Sequence, residues 1–319
     1  MSLSNCKIVK DNCPHEEYPK QPDGVKRGNP LYVMSRSELV EFFLNPKRWL
    51  DGFGLDEDDS TPSTDWGTLI DCLVTGKDKF DSQFAVAPSM YPGAKGEEKP
   101  WTRQANYCKE WEADREAEGR QVVKADIMEQ AELAVKAIHS DDVISELLSV
   151  SRKQVYLTGI WNDKTTGLEI PLRVLIDLVP PKEHPHFGRW LSDFKTARNG
   201  NPSQWARVVE DCNYDIQAAL YFDIYCAATK EDRTDWVFAL QENVAPYHVV
   251  KPLPALSQEF MAWGRLKYQK ALSAYALCLS QNIWPSYAPA GLALGDIQLI
   301  APDELWTYKK TAVQGRIER

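Results

Sequence analysis

Three charged side chains near the middle of the chain have the types and spacing of a metal-assisted hydrolytic site. Asp177 lies near the end of the apolar stretch IPLRVLIDLV, and the later stretch WLSDFKTA supplies Asp193, Phe194 and Lys195. Mg²⁺ prefers carboxylate, carbonyl and water oxygens, so we expect Asp177, Asp193 and the Phe194 backbone carbonyl to be its ligands. Because side chains alternate along a strand, Lys195 projects to the same side as Asp193. There we expect it to orient and help deprotonate the attacking water and to offset negative charge in the transition state. This chemistry would cleave a phosphodiester.

The Asp-x-Lys triplet by itself is a weak signal. Most such triplets are solvated strand ends that carry a surface ion pair of little energetic value. A catalytic interpretation therefore depends on the elements that would bring Asp177 and the triplet together.

Those elements can be predicted from apolar periodicity. Three strand-like stretches follow one another and predict an antiparallel meander that places Asp177 beside Asp193; they are KQVYLTGIW, LEIPLRVLIDLV and RWLSDFKTA. Two later stretches, DWVFALQENV and PYHVVKPL, are also predicted strands. Helices are predicted in MSRSELVEFFLNPKRWLDGF, DWGTLIDCLVTG, WTRQANYCKEWEADREAEG, DIMEQAELAVKAIHS, QWARVVE, YDIQAALYFDIYCAA and from about residue 256 to 281. This order predicts an α/β fold with a mixed central sheet flanked by helices.

The helix after the triplet presents a polar face. Tyr214, Gln217 and Tyr221 are spaced i, i+3 and i+7, so they share one side of the helix and are expected to reach a metal-bound water or a phosphate. Thr196 and Arg198 adjoin Lys195 and are further candidate contacts to nucleic acid. The alternative for the tyrosines is packing in the core, where each hydroxyl needs only one partner.

Composition limits the class of protein. The net charge of −9 and the isoelectric point of about 5.2 argue against a protein that coats DNA electrostatically, so any basic surface must be local. The seven cysteines are dispersed without a C-x₂-C pair, which indicates reduced thiols and not a zinc site or a disulfide framework.

The chain has no run of about 18 apolar residues, and its polar N-terminus has no apolar signal segment. We therefore expect a cytoplasmic protein with no membrane association. Residues 1–30 are polar and proline-rich and are expected to be a flexible segment, followed by a single domain over residues 31–319.

Longer stretches carry a resemblance to a known family over about residues 33–290. They are SRSELVEFFLNPKRW, GTLIDCLVTGKDKFDSQFAVAP, PLRVLIDLVP, WLSDFKTA, YDIQAALYFDIY and YQKALSAYALCLSQNIWPSY. In this order and spacing the chain resembles the RecE (exonuclease VIII) type, YqaJ-like, of the PD-(D/E)xK nucleases. The resemblance implies a restriction-endonuclease-like core and digestion of linear double-stranded DNA from its ends, 5′-to-3′, in phage or mobile-element recombination. It also implies Mg²⁺, with Mn²⁺ as a substitute, a homo-oligomeric ring and a partner single-strand annealing protein.

The resemblance also assigns roles to residues. It implies that Asp177 and Asp193 are metal ligands, that Lys195 is the catalytic lysine, and that Gln217 with Tyr221 forms the Q-x₃-Y helix motif.

Two positions depart from the family pattern. Where the family usually has a histidine in GTLxH, this chain has Asp71, which we expect to ligate the metal with altered geometry; the alternative is an exposed helix carboxylate. Gln154 occupies a strand position where relatives often carry a carboxylate, which is expected to weaken a second metal site.

Alternative functions remain open at this stage. The first is an active exonuclease, the second is a catalytically altered nuclease fold kept as a DNA-binding or assembly module, and the third is a structure-specific endonuclease. The intact Asp177, Asp193 and Lys195 favour an active enzyme, because a binding module has no need to hold like charges together without a metal.

Overall fold

The computed structural model describes residues 2–13, 18, 20–52, 62–75, 77–93 and 95–286. Its strands are β1 (Leu3–Lys10), β2 (Phe84–Val86), β3 (Met90–Pro92), β4 (Glu98–Pro100), β5 (Gln121–Val123), β6 (Arg152–Asn162), β7 (Glu169–Val179), β8 (Trp190–Ala197) and β9 (Asp235–Glu242). Its helices are α1 (Arg36–Leu44), α2 (Pro46–Leu50), α3 (Pro62–Thr75), α4 (Lys77–Gln83), α5 (Asn106–Ala117), α6 (Ala125–His139), α7 (Asp142–Val150), α8 (Pro202–Asp211), α9 (Tyr214–Thr229) and α10 (Gln258–Gln281). Residues 287–319, which we assigned to the same domain, lie outside the described part.

A mixed five-stranded sheet forms the centre of the fold, in the order β1-β6-β7-β8-β9. β6, β7 and β8 are consecutive antiparallel neighbours, which confirms the predicted meander, while β9 runs parallel to β8. Small pairs outside this sheet, β2 with β5 and β3 with β4, were not predicted.

Helices cover the sheet through two apolar clusters. The larger cluster joins the sheet to α1, α9 and α10 and contains Phe42, Trp236 and Tyr275. The smaller cluster joins the sheet to α3, α6 and α7 and contains Ile70 and Ile138. The predicted α/β arrangement of a mixed sheet flanked by helices is thereby confirmed. None of the described helices combines the length and the apolar content that a membrane span requires.

The N-terminal segment differs from the expectation of flexibility. Residues 3–10 form β1, which pairs antiparallel with β6 from Leu3↔Trp161 to Lys10↔Tyr156. The composition is misleading because an edge strand needs one apolar face only, and lysines on its other face are typical of protected edges. Leu3 and Ile8 pack against the larger apolar cluster, while the proline-rich part of the segment begins after the strand.

Two other predictions need correction. The stretch PYHVVKPL forms no strand, and within it Val249 makes an isolated bridge to Gln241. Pro246 and Pro252 lack the N–H that a ladder requires, which explains the failure. The first predicted helix is divided at Asn45, where α1 ends and Pro46 begins α2.

Candidate active site

A separation between two neighbouring strands creates the space for the site. The pairing of β7 with β8 is registered at Leu178↔Ser192 among the described residues. Just beyond it, the Asp177 carboxylate replaces a backbone acceptor, because the Phe194 N–H donates to Asp177 Oδ2 at 3.0 Å. The Asp177 side chain thus takes the place of a ladder hydrogen bond where the two strands separate, and the same hydrogen bond orients its carboxylate.

Asp193 lies on β8 beside Asp177, and only 1% of its surface is exposed. Its Oδ1 accepts a hydrogen bond of 2.8 Å from Gln217 Nε2, and its Oδ2 forms an ion pair with Lys195 Nζ. The intervening Phe194 side chain packs in the smaller apolar cluster, as strand alternation predicts. The triplet therefore presents its two charged side chains to the site and its aromatic ring to the core.

The charges of the site shift one another's pKa values. Burial raises the pKa of Asp177 well above its ordinary value, and the negative charges of Asp193 and Asp71 raise it further, against the lowering effect of Lys195. Burial alone would lower the pKa of Lys195, but the neighbouring carboxylates outweigh it and raise the pKa. The lysine is therefore an ammonium at neutral pH, while the ionised form of Asp177 is disfavoured.

The polar face predicted on α9 is directed at the site. Gln217 bonds Asp193, and the Tyr214 ring lies 5.2 Å from Lys195 Nζ. Tyr221 lines the same cleft but is 7% exposed and packs edge-to-face on Trp236, so it belongs both to the site and to the core. Burial raises the pKa of the Tyr221 hydroxyl well above its ordinary value, so this group is neutral.

Helix α3 also lines the cleft and contributes Asp71. No three His, Cys, Asp or Glu side chains in the described ranges converge as a ready-made metal cluster. A cation would therefore bind between Asp177 and Asp193 with backbone and water oxygens, a donor set that suits a hard divalent ion. The expectation that Asp71 joins this set stays a prediction.

Several residues of the cleft were not predicted, and two of them, Arg36 and Tyr18, have ionisable side chains. Arg36, the first residue of α1, donates to the Cys212 carbonyl and lies 5.6 Å from the Tyr214 ring, on which Lys195 also packs. Tyr18 also lines the cleft, and burial raises the pKa of its hydroxyl to about 12. The only hint for Arg36 in the sequence was a basic residue at a predicted helix start.

The last two predicted site residues, Thr196 and Arg198, differ in their relation to the cleft. Thr196 lines the cleft, whereas Arg198 is exposed and lies outside its lining. The cleft has a volume of about 630 Å³ and is open to solvent. Among the described residues, its charged lining consists of Arg36, Lys195 and three carboxylates.

Comparison with known proteins identifies the family. A family model described as a PDDEXK-like domain of unknown function (DUF3799) matches residues 46–292. One solved structure, described as a "Putative exonuclease" from Eubacterium rectale, is 16% identical, has a TM-score of 0.49, and covers 86% of this chain and 92% of its own. No curated protein matches the chain. The family match confirms the predicted fold class, while the finer resemblance to the RecE type stays a prediction. Because the match spans far more than half of the sequence, the chain belongs to the PDDEXK-like domain family of unknown function (DUF3799).

Proposed function

We propose that the protein is a divalent-metal-dependent exodeoxyribonuclease that degrades linear double-stranded DNA from its ends. The observation that carries the proposal is the convergence of Asp177, Asp193 and Lys195 in one open cleft, with each carboxylate held by its own hydrogen-bond donor. Membership of a PDDEXK-like family supports the same chemistry, because the two acids and the lysine are the residues that give this fold its description.

The charge of the cleft supports binding of one cation together with a phosphodiester. Arg36 and Lys195 contribute two positive charges, and Asp71, Asp177 and Asp193 contribute three negative charges. One divalent ion would turn the net charge of −1 into +1, which a phosphodiester anion would neutralise. The raised pKa of Asp177 also supports binding of a cation, because two buried carboxylates remain ionised together most easily beside one.

The residues of the chain divide the chemical work. Asp177, Asp193 and the Phe194 carbonyl would hold Mg²⁺ or Mn²⁺, with Asp71 as a further candidate ligand. The bound ion would lower the pKa of a coordinated water and polarise the phosphate. Lys195, as an ammonium, orients that water and offsets negative charge in the transition state. Gln217 fixes Asp193, and Tyr214 supports the lysine from its other side.

The finer parts of the proposal come from the resemblance to RecE-type enzymes. They are digestion in the 5′-to-3′ direction, a role in phage or mobile-element recombination, a homo-oligomeric ring, an annealing partner and a cytoplasmic location. Tyr221, Thr196 and Arg198 are proposed as contacts to DNA or as supports for the groups that touch it.

The test is digestion of DNA labelled separately at its 5′ and 3′ ends, with Mg²⁺ and with a chelator. We expect linear blunt duplex to be degraded from the 5′ end, a covalently closed circle to be spared, and the chelator to stop the reaction. Digestion of the circle would indicate the endonuclease alternative, and binding without digestion would indicate the DNA-binding module. Measurement of molecular mass in the same buffer tests for the ring.

Lys195→Ala is the informative variant for catalysis. We expect it to fold and to lose about 10²-fold or more of the activity, because one positioned charge that stabilises a transition state contributes about that much. Lys164→Ala removes an exposed lysine from the turn between β6 and β7 and is the control, with activity expected to stay at the wild-type level. Wild-type activity in Lys195→Ala would remove this residue from the mechanism.

A further inference from the structure

Gln154 has a backbone conformation that a plain strand residue does not need. Its φ is 47°, in the left-handed region that side-chain-bearing residues rarely occupy. The neighbouring ladder partners are Lys153↔Leu178 and Val155↔Ile176, so Gln154 lies directly across from Asp177. Directly opposed residues project to the same face of a sheet, and here they touch. Strained backbone conformations cluster at functional sites, so strain in a residue that contacts a site carboxylate indicates a functional role.

The side chain of Gln154 contacts the site. It is 8% exposed and lines the cleft, and its Nε2 donates a long hydrogen bond of 3.4 Å to Asp177 Oδ1. The other oxygen of Asp177 accepts from the Phe194 amide. With one donor on each oxygen, the plane of the carboxylate is fixed, and the amide achieves this without adding charge beside the acids.

The N-terminal segment holds the unusual backbone in place. Directly after β1, the Asn12 N–H donates to the Lys153 carbonyl at 2.9 Å, and the Cys13 N–H donates to the Gln154 carbonyl at 3.1 Å. Cys13 itself is buried. The segment therefore does more than extend the sheet, because the amides of Asn12 and Cys13 hold the backbone at the residue that contacts Asp177.

We propose that Gln154 is a positioning residue, which the N-terminal segment holds against Asp177 so that this carboxylate is oriented to bind the metal. This inference rests on the proposed function, since it concerns the metal site of that enzyme. Partners that orient a metal ligand typically change metal affinity by about 10- to 100-fold when they are removed.

The test is Mn²⁺ binding by the full-length protein without DNA, measured by calorimetry beside thermal unfolding. Gln154→Met keeps the size and the strained backbone but removes the amide, whereas Gln154→Gly removes the amide and relieves the strain. We expect both variants to bind Mn²⁺ about tenfold or more weakly. Their melting temperatures should differ, with the glycine variant the more stable of the two.

Thr158→Val, in the same strand but outside the cleft, is the control and should bind Mn²⁺ like the wild type. Wild-type affinity in both Gln154 variants, or affinity that simply follows the melting temperature, would overturn the inference while leaving the metal site intact. The Asp177→Asn variant distinguishes failure of this inference from failure of the proposed metal site. If the wild type binds no Mn²⁺, or if Asp177→Asn binds it unchanged, the metal site of the proposed function fails and this inference fails with it.

Discussion

At the scale of single residues, the site depends on charges that constrain one another. Asp193 and Asp177 raise the pKa of Lys195 above its ordinary value, which favours the ammonium form of this side chain. Asp177 has the opposite situation, because burial and two nearby carboxylates disfavour its charge. A cation bound between Asp177 and Asp193 would therefore stabilise both carboxylates. Every charge added to or removed from the cleft should alter the affinity for that cation.

Asp71 provides the most direct test of that dependence. It lines the cleft, and its negative charge raises the pKa of Asp177, so Asp71→Ala should lower the affinity for Mg²⁺ and raise the concentration needed for half-maximal digestion by about tenfold. Asp65→Ala removes another carboxylate from the same helix, outside the cleft, and should leave the Mg²⁺ requirement unchanged. An unchanged requirement in Asp71→Ala would exclude Asp71 from the site, and Asp71→His would show whether imidazole is tolerated there.

Much of the residue set could be predicted because its members follow local patterns. Asp193 and Lys195 share a strand face, Gln217 lies on α9, the second helix after that strand, and their contacts agree with the predicted faces. Arg36 and Tyr18 could not be predicted in this way. They are far from the triplet in sequence, and only the packing of α1 and the N-terminal segment around α9 brings them to the cleft.

At the scale of elements, apolar periodicity predicted the strands whose positions are determined by burial of an apolar face. The meander was predicted because its strands bury alternate apolar side chains. β1 was not predicted, and the strand predicted in PYHVVKPL is absent, because the hydrogen-bond partners of both segments are decided by tertiary contacts. The separation of β7 from β8 could not be predicted either, since it involves the side chain of Asp177 as a backbone acceptor.

Helix α7 illustrates an element stabilised by one carboxylate. Asp141 is its N-cap, accepts from the amides of Val143 and Ile144, and pairs with Lys251. Burial alone would raise the pKa of Asp141, but Lys251 and the two amides outweigh it and hold the pKa below its ordinary value. A carboxyl with a depressed pKa stabilises the folded state above the pKa of the unfolded chain.

We therefore expect Asp141→Ala to lower the free energy of unfolding by about 1 kcal/mol at neutral pH. The difference from the wild type should shrink below about pH 4, as the folded protein protonates Asp141 and the charge interactions are lost. Urea unfolding at several pH values measures both effects. Asp141→Asn, which keeps a capping oxygen, should cost less at neutral pH, and a pH-independent difference for Asp141→Ala would contradict the assignment.

At the scale of the whole molecule, β6 and β9, the two outer strands of the sheet apart from β1, are each covered by a segment that the sequence patterns did not predict correctly. β1 covers the edge of β6, and the proline-containing segment from His248 to Leu256 bonds the outer edge of β9. Uncovered edges promote association between strands of different molecules. The N-terminal cover has a second consequence, since the same segment continues into the contacts beside Gln154.

Deletion of residues 1–13 tests the importance of this cover. It would remove the backbone pairing of β1 and the packing of Leu3, Cys6 and Ile8 on the larger cluster. We expect a loss of about 2–4 kcal/mol in the free energy of unfolding, since each partly buried apolar side chain contributes about 1 kcal/mol. The exposed edge of β6 should also cause aggregation, which light scattering during thermal unfolding would detect.

Lys7→Ala changes an exposed side chain of β1 without removing the strand and should behave like the wild type. If the truncated protein unfolds at the wild-type temperature and stays dispersed, β1 is dispensable for the fold, and the edge of β6 must be protected in another way.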